Sequence, residues 1–201
     1  MSDGINLQKP TNIQKPLFIS FSAEINQNTT ESFMAVIADQ FNKGVKDFYI
    51  LLSTPGGNVA NGVTLYNYLR SLQAKITMHN IGIVDSIGNV VFLAGDPRYA
   101  VLNSSFLFHG VGFDITQPAR FEEKDLKERL KVIERDQKLM CNIITERTNL
   151  KIEEIQKMFL EAATKTAEDA KETGIIKDIK SVDIPKDAQI LQLTFQQRPW
   201  R

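Results

Sequence analysis

Apolar strand-like runs alternate with amphipathic helical segments along most of this chain, and that alternation predicts an α/β domain with a largely parallel sheet. Two stretches carry the prediction. Residues 48–52, Phe-Tyr-Ile-Leu-Leu, have the unbroken apolar character of a strand covered on both faces, and Thr54, Pro55, Gly56, Gly57 and Asn58 then break the run sharply. From Val59 onward, Val63, Tyr66, Leu69 and Leu72 share one helical face before Lys75 to Met78 begins the next strand. The 201 residues, 42% hydrophobic and 24% charged, fit one compact domain with a sizeable core. The expected organisation is a flexible polar arm over 1–16, with Pro10 and Pro16, followed by a single domain over 17–201.

Taken in order, Leu17 to Phe21 is a short β-rich run. Thr29, Thr30 and Glu31 then offer a cap for a helix whose apolar positions are Phe33, Val36, Ile37 and Phe41, closed by Gly44. After the strand and helix already described, Ile81 to Val84 leads into Ser86, and Val90 to Ala94 reads as a short buried helix ended by Gly95. Tyr99 to Leu102 and Ser105 to Phe108 are two more strands. Between Phe121 and Arg147 the pattern changes to one long, highly charged helix with Leu126, Leu130, Ile133, Met140 and Ile144 on a near-heptad stripe. A helix of that kind needs a surface to pack on. Ile152 to Leu160 is again amphipathic, Thr166 to Ala170 opens a short helix, Gly174 ends it, and the tail beyond Lys186 is mixed and ends polar.

Composition excludes several function classes. Lys plus Arg and Asp plus Glu number 24 each, so net charge gives no reason to expect nucleic acid or an anionic membrane as partner. The single cysteine, Cys141, rules out an internal disulfide and a cysteine-based metal site, which suits a reducing cytosol. No stretch approaches the roughly 18 apolar residues of a membrane span, and the start lacks a basic segment followed by an apolar run. The expected location is cytoplasmic, and no metal or cofactor is called for.

Three short signals carry chemistry. Ser86, just after Asp85 at the opening of an apolar helix, lies where unpaired backbone N–H groups stabilise developing negative charge, which makes it the candidate nucleophile. His109 ends an apolar run 23 residues later and is the candidate base. Gly56 and Gly57 form a tight turn that also allows close backbone approach to a substrate. His79 has no such partner signal and reads as structural.

In order and spacing these pieces resemble the proteolytic subunit of the Clp proteases, within the larger ClpP/crotonase fold superfamily. Residues 53–57, Ser-Thr-Pro-Gly-Gly, resemble the family's strand-ending Ser-Pro-Gly-Gly. Residues 85–88 resemble its nucleophile segment, Leu102 to His109 its histidine segment, and Thr166 to Ile176 its segment around a late glycine. The resemblance covers roughly residues 17–180. It implies a repeated β-β-α spiral core with the long helix as a protruding handle that interlocks stacked rings of like subunits. It further implies Ser86 as nucleophile, His109 as general base, the N–H groups of Gly57 and Ile87 as oxyanion hole, peptides or unfolded proteins as substrate, and an ATP-dependent unfoldase as partner. Twelve residues before Gly174, where the family carries its catalytic Asp, this chain has Ala162; Glu161 beside it is the candidate third member, and Asp85 replaces a small residue next to the nucleophile. Two other readings stay open: an inactive ClpP-like structural or regulatory subunit, and a crotonase-type acyl-CoA enzyme, since one fold hosts many functions.

Overall fold

The computed structural model describes residues 15–113, 115 and 120–195, so residues 1–14 of the expected arm lie outside the described residues. The elements are β1 (Leu17–Ser22), α1 (Gln27–Asn42), β2 (Asp47–Thr54), α2 (Val59–Ser71), β3 (Lys75–Asp85), α3 (Gly88–Phe92), β4 (Arg98–Ala100), β5 (Ser105–Phe108), α4 (Glu123–Arg147), α5 (Ile152–Glu161), β6 (Ala163–Thr166), α6 (Ala167–Glu172), β7 (Asp178–Ile179) and β8 (Ile190–Gln192). The fold is mixed α/β, as the alternation predicts.

The main path through the sheet runs β6-β5-β3-β2-β1-β8, and every pairing is parallel except β5 with β6. The long strand β3 forks. Its residues 78–80 pair with β4, and its last residues, 83–85, pair with β5. The two runs read separately in the sequence, 75–78 and 81–84, are therefore one strand, whose far end carries the chain to Ser86. Phe21, Phe33, Phe48, Phe92, Phe106 and Phe108 are among the fully buried side chains of a continuous core. Each such aromatic removes enough apolar surface from water to contribute about 1.5–3 kcal/mol.

Further local details differ from the sequence reading. Helix α1 is capped by Asn26 rather than by the 29–31 stretch: the Asn26 side chain accepts the Thr29 N–H, and the Thr29 hydroxyl accepts the Asn26 N–H. The tail supplies a strand, β8, beside β1, with Phe195 packed against Phe21. Lastly, the apolar stripe of α4 is divided: Met140, Cys141 and Ile144 are buried, whereas Leu126 and Leu130 are exposed.

Two arginines anchor the segment around α3. Arg147, at the end of α4, donates to the Leu93 and Gly95 carbonyls, and Arg98 donates to those of Gly95, Arg147, Gly174 and Ile175. Burial, and next the neighbouring Arg147 charge, push the Arg98 pKa down to about 10. The guanidinium forks thus satisfy carbonyls left open where three helices end.

His79 is fully buried, as a structural residue should be. Its Nδ1 lies 2.8 Å from the Tyr49 hydroxyl and its Nε2 lies 3.0 Å from the Lys180 carbonyl. Among the described residues, no helix is long and apolar enough to cross a membrane.

Candidate active site

The turn from β3 into α3 places Ser86 in the left-handed region, with φ of 56°. Only one other non-glycine among the described residues, Ala162, has a positive φ. For an L-residue this conformation costs roughly 1–2 kcal/mol, so it persists only where its surroundings over-determine it. Here they do. The Ser86 N–H donates to the Leu107 carbonyl at 2.8 Å, and the Ser86 carbonyl accepts from the Asn89 N–H at 3.1 Å.

The turn after β2 presses on the same spot. A Cβ on Gly56 would lie 2.6 Å from the Asp85 carbonyl oxygen and 2.7 Å from the Ser86 Cβ, and one on Gly57 would lie 2.2 Å from the Ile25 carbonyl oxygen. Both positions have positive φ, so glycine is required by space and by conformation alike. The Thr54 hydroxyl accepts the Gly56 N–H at 3.1 Å and helps to fix this turn. Neither the Gly57 N–H nor the Ile87 N–H has a hydrogen-bond partner among the described residues. Ser86 itself precedes α3, whose N-cap is Ile87. At five residues α3 is short, so no long helix dipole acts at this turn.

His109 follows β5, the strand paired with the end of β3, so the register Asp85 to Leu107 brings Ser86 and His109 to the same end of adjacent strands. No hydrogen bond joins the two side chains among the described residues, and such contacts commonly tighten only in the complex with substrate. The Nδ1 of His109 donates to the Gly110 carbonyl at 2.8 Å, which leaves Nε2 as the lone-pair nitrogen. The Gly110 N–H in turn donates to the Phe159 carbonyl at 3.0 Å, tying the histidine loop to α5.

Glu161 is the last residue of α5 and faces solvent, its carboxylate 3.9 Å from Lys157 Nζ, with no hydrogen bond to His109. Ala162 caps that helix in the left-handed conformation, and Ala163 pairs with Phe108, so Ala162 stands beside His109 at the end of the ladder. Asp85 is half-buried. Burial pushes its carboxyl above the usual carboxylate range, against the opposing pull of the Leu107 N–H and the His109 charge. Two groups escaped the sequence reading: the Gly110 carbonyl, which has no side-chain signature at all, and Asn89. A polar residue at the start of the apolar run into Ala94 was the available signal for Asn89, since a buried amide must find partners.

A groove of about 750 Å³ opens beside this loop, between α4 and α5, lined by Gly110, Gln137, Cys141, Asn142, Phe159 and Leu160 among others. No group of three His, Cys, Asp or Glu side chains among the described residues is placed to hold a metal ion. The arrangement can therefore offer a hydroxyl, an imidazole with a free nitrogen and two backbone donors.

A family model described as Clp protease matches residues 7–183. Among solved structures the chain is similar to a ClpP1 mutant from Listeria monocytogenes, with 23% identity, coverage of 82% of this chain and 91% of that one, and a TM-score of 0.70. It is also similar to the ClpP protease catalytic domain from Plasmodium falciparum, with 22% identity, coverage of 85% and 88%, and a TM-score of 0.69. At these identities the two structures establish the likeness of fold.

Proposed function

Because the chain belongs to the Clp protease family, a family of serine peptidases, we propose that it hydrolyses peptide bonds in peptides or unfolded proteins with Ser86 as nucleophile and His109 as general base. The observation that carries this reading is the left-handed Ser86 wedged beneath Gly56, in turns whose Gly57 and Ile87 N–H groups are unengaged among the described residues. In the first step Ser86 Oγ attacks the scissile carbonyl carbon while its proton passes to Nε2 of His109. The carbonyl oxygen becomes an oxyanion and accepts from the N–H groups of Gly57 and Ile87, donors that need no reorganisation. The intermediate collapses as Nε2 returns the proton to the leaving amine, and a water molecule then releases the acyl group from Ser86 by the same sequence.

An imidazole works as base only when its other nitrogen is held. The Gly110 carbonyl, 2.8 Å from Nδ1, is the orienting group in this reading. Glu161 is the competing candidate, and it would have to leave Lys157 and swing inward to serve. Leu126, Leu130, Val132 and Leu139, apolar and exposed on α4, support assembly with further copies into stacked rings, in which an ATP-dependent unfoldase would deliver substrate.

The reading is tested by a fluorophosphonate probe on the purified protein. Labelling of wild type but not of Ser86→Ala supports it. An unlabelled wild type would instead favour a catalytically silent, structural or regulatory subunit, for which Ala162 at the family's acid position is the specific support.

A further inference from the structure

Resting on the peptidase reading, we infer that Asn89 is a positioning residue that ties the nucleophile turn to the strand bearing the base. Its amide Nδ2 donates to the Leu107 carbonyl at 2.8 Å and to the Ser86 carbonyl at 3.1 Å. Leu107, on β5, precedes His109 by two residues and already accepts the Ser86 N–H at 2.8 Å. The Ser86 carbonyl likewise takes the Asn89 backbone N–H. One side chain therefore closes a ring of four hydrogen bonds around the two reacting segments.

The side chain is 1% exposed, so these bonds form away from competing water. Both facing atoms are carbonyl oxygens, so only the NH2 end of the amide can point at them. The Oδ1 atom meanwhile has no partner among the described residues. A buried acceptor left unsatisfied is unfavourable, and its retention is explained by the work of the opposite end. That work is specific. Ser86 holds a conformation unfavourable for an L-residue, and among the described residues Asn89 alone donates from a side chain to its carbonyl. Without it the turn can relax and carry Oγ away from Nε2. Positional errors of about 1 Å cost on the order of 10²-fold in rate.

The test compares Asn89→Leu, similar in size but without donors, with Ile37→Val, a core substitution in α1, both assayed well below their melting temperatures. Asn89→Leu is expected to lower kcat for a peptide, and the rate of fluorophosphonate labelling, by about 10²-fold with KM nearly unchanged. Ile37→Val should keep both rates. Should the leucine variant not fold, Asn89→Ala replaces it. An Asn89 variant whose kcat stays within threefold of wild type, or a comparable kcat loss in Ile37→Val, overturns the inference. Should wild type itself resist the probe, the peptidase reading fails separately, and the inference is judged by hydrogen exchange. Asn89→Leu must then deprotect the Ser86 and Leu107 segments while Ile37→Val leaves them protected, and equal protection in the two variants overturns it.

Discussion

Replacing Ala162 by Asp should make the site a better catalyst, and the size of the gain can be worked from the geometry. Ala163 pairs with Phe108, so residue 162 sits beside His109, whose Nδ1 is held, among the described residues, by the neutral Gly110 carbonyl alone at 2.8 Å. Hydrogen bonds to charged groups contribute about 1.5–3 kcal/mol net, against about 0.5–1.5 kcal/mol for neutral pairs. Exchanging carbonyl for carboxylate therefore gains roughly 1–1.5 kcal/mol once the imidazolium forms, which is about tenfold in kcat. The substitution carries little backbone penalty, because Ala162 already has φ of 49° and Asp tolerates that region better than Ala. The assay is steady-state hydrolysis of a short fluorogenic peptide by wild type, Ala162→Asp and Glu161→Gln. With the carbonyl as orienting group, Glu161→Gln should leave kcat within about twofold, since an exposed pair such as Glu161 with Lys157 contributes little. A folded Ala162→Asp with unchanged or lower kcat would refute the argument. So would a fall of 10²-fold or more in Glu161→Gln, which would identify Glu161 as the third member.

Ser86→Ala and His109→Ala should each abolish nearly all peptide hydrolysis, and the double variant should be hardly worse, because members of one catalytic unit are strongly non-additive; near-normal turnover by Ser86→Ala would place the nucleophile elsewhere. Leu130→Asp should leave the isolated chain folded, since Leu130 is 53% exposed, yet reduce a large assembly to smaller species, because burying an unpaired charge at an interface costs several kcal/mol. Elution at the wild-type size in gel filtration would count against the α4 stripe as an interface. His79 should make the fold acid-sensitive. Burial holds it neutral, pushing its pKa from 6.5 down to about 4, so below pH 6.5 the unfolded chain binds a proton that the folded chain does not. Stability should thus fall as pH drops from 6.5 toward 4, by about 2 kcal/mol at pH 5, and denaturant melts of His79→Gln should show a shallower slope over that window.

Periodicity and turn chemistry determined the α/β class, the strand–helix alternation and the position of nearly every element from β1 to α6. These are local properties: a period of 2 or 3.6 and a Gly-Gly break are written into consecutive residues, whatever lies across the sheet. Together with the resemblance of four motifs in order to one family, they also pointed to Ser86, His109, Gly56 and Gly57, each placed at an element's end. Only the tertiary structure decided how those residues stand. The left-handed Ser86 follows from the Leu107 carbonyl on a neighbouring strand and from the Asn89 amide. The strand β8 exists because β1 offers an open edge to a tail whose own composition is ambiguous. The Nδ1 partner is a backbone carbonyl, identical in every residue and hence invisible in sequence. Glu161, adjacent by number to Ala162, faces solvent because it ends a helix whose buried face is formed by Ile155, Met158 and Phe159. One residue along a helix turns a side chain by 100°, so nearness in sequence does not aim a carboxylate at an imidazole.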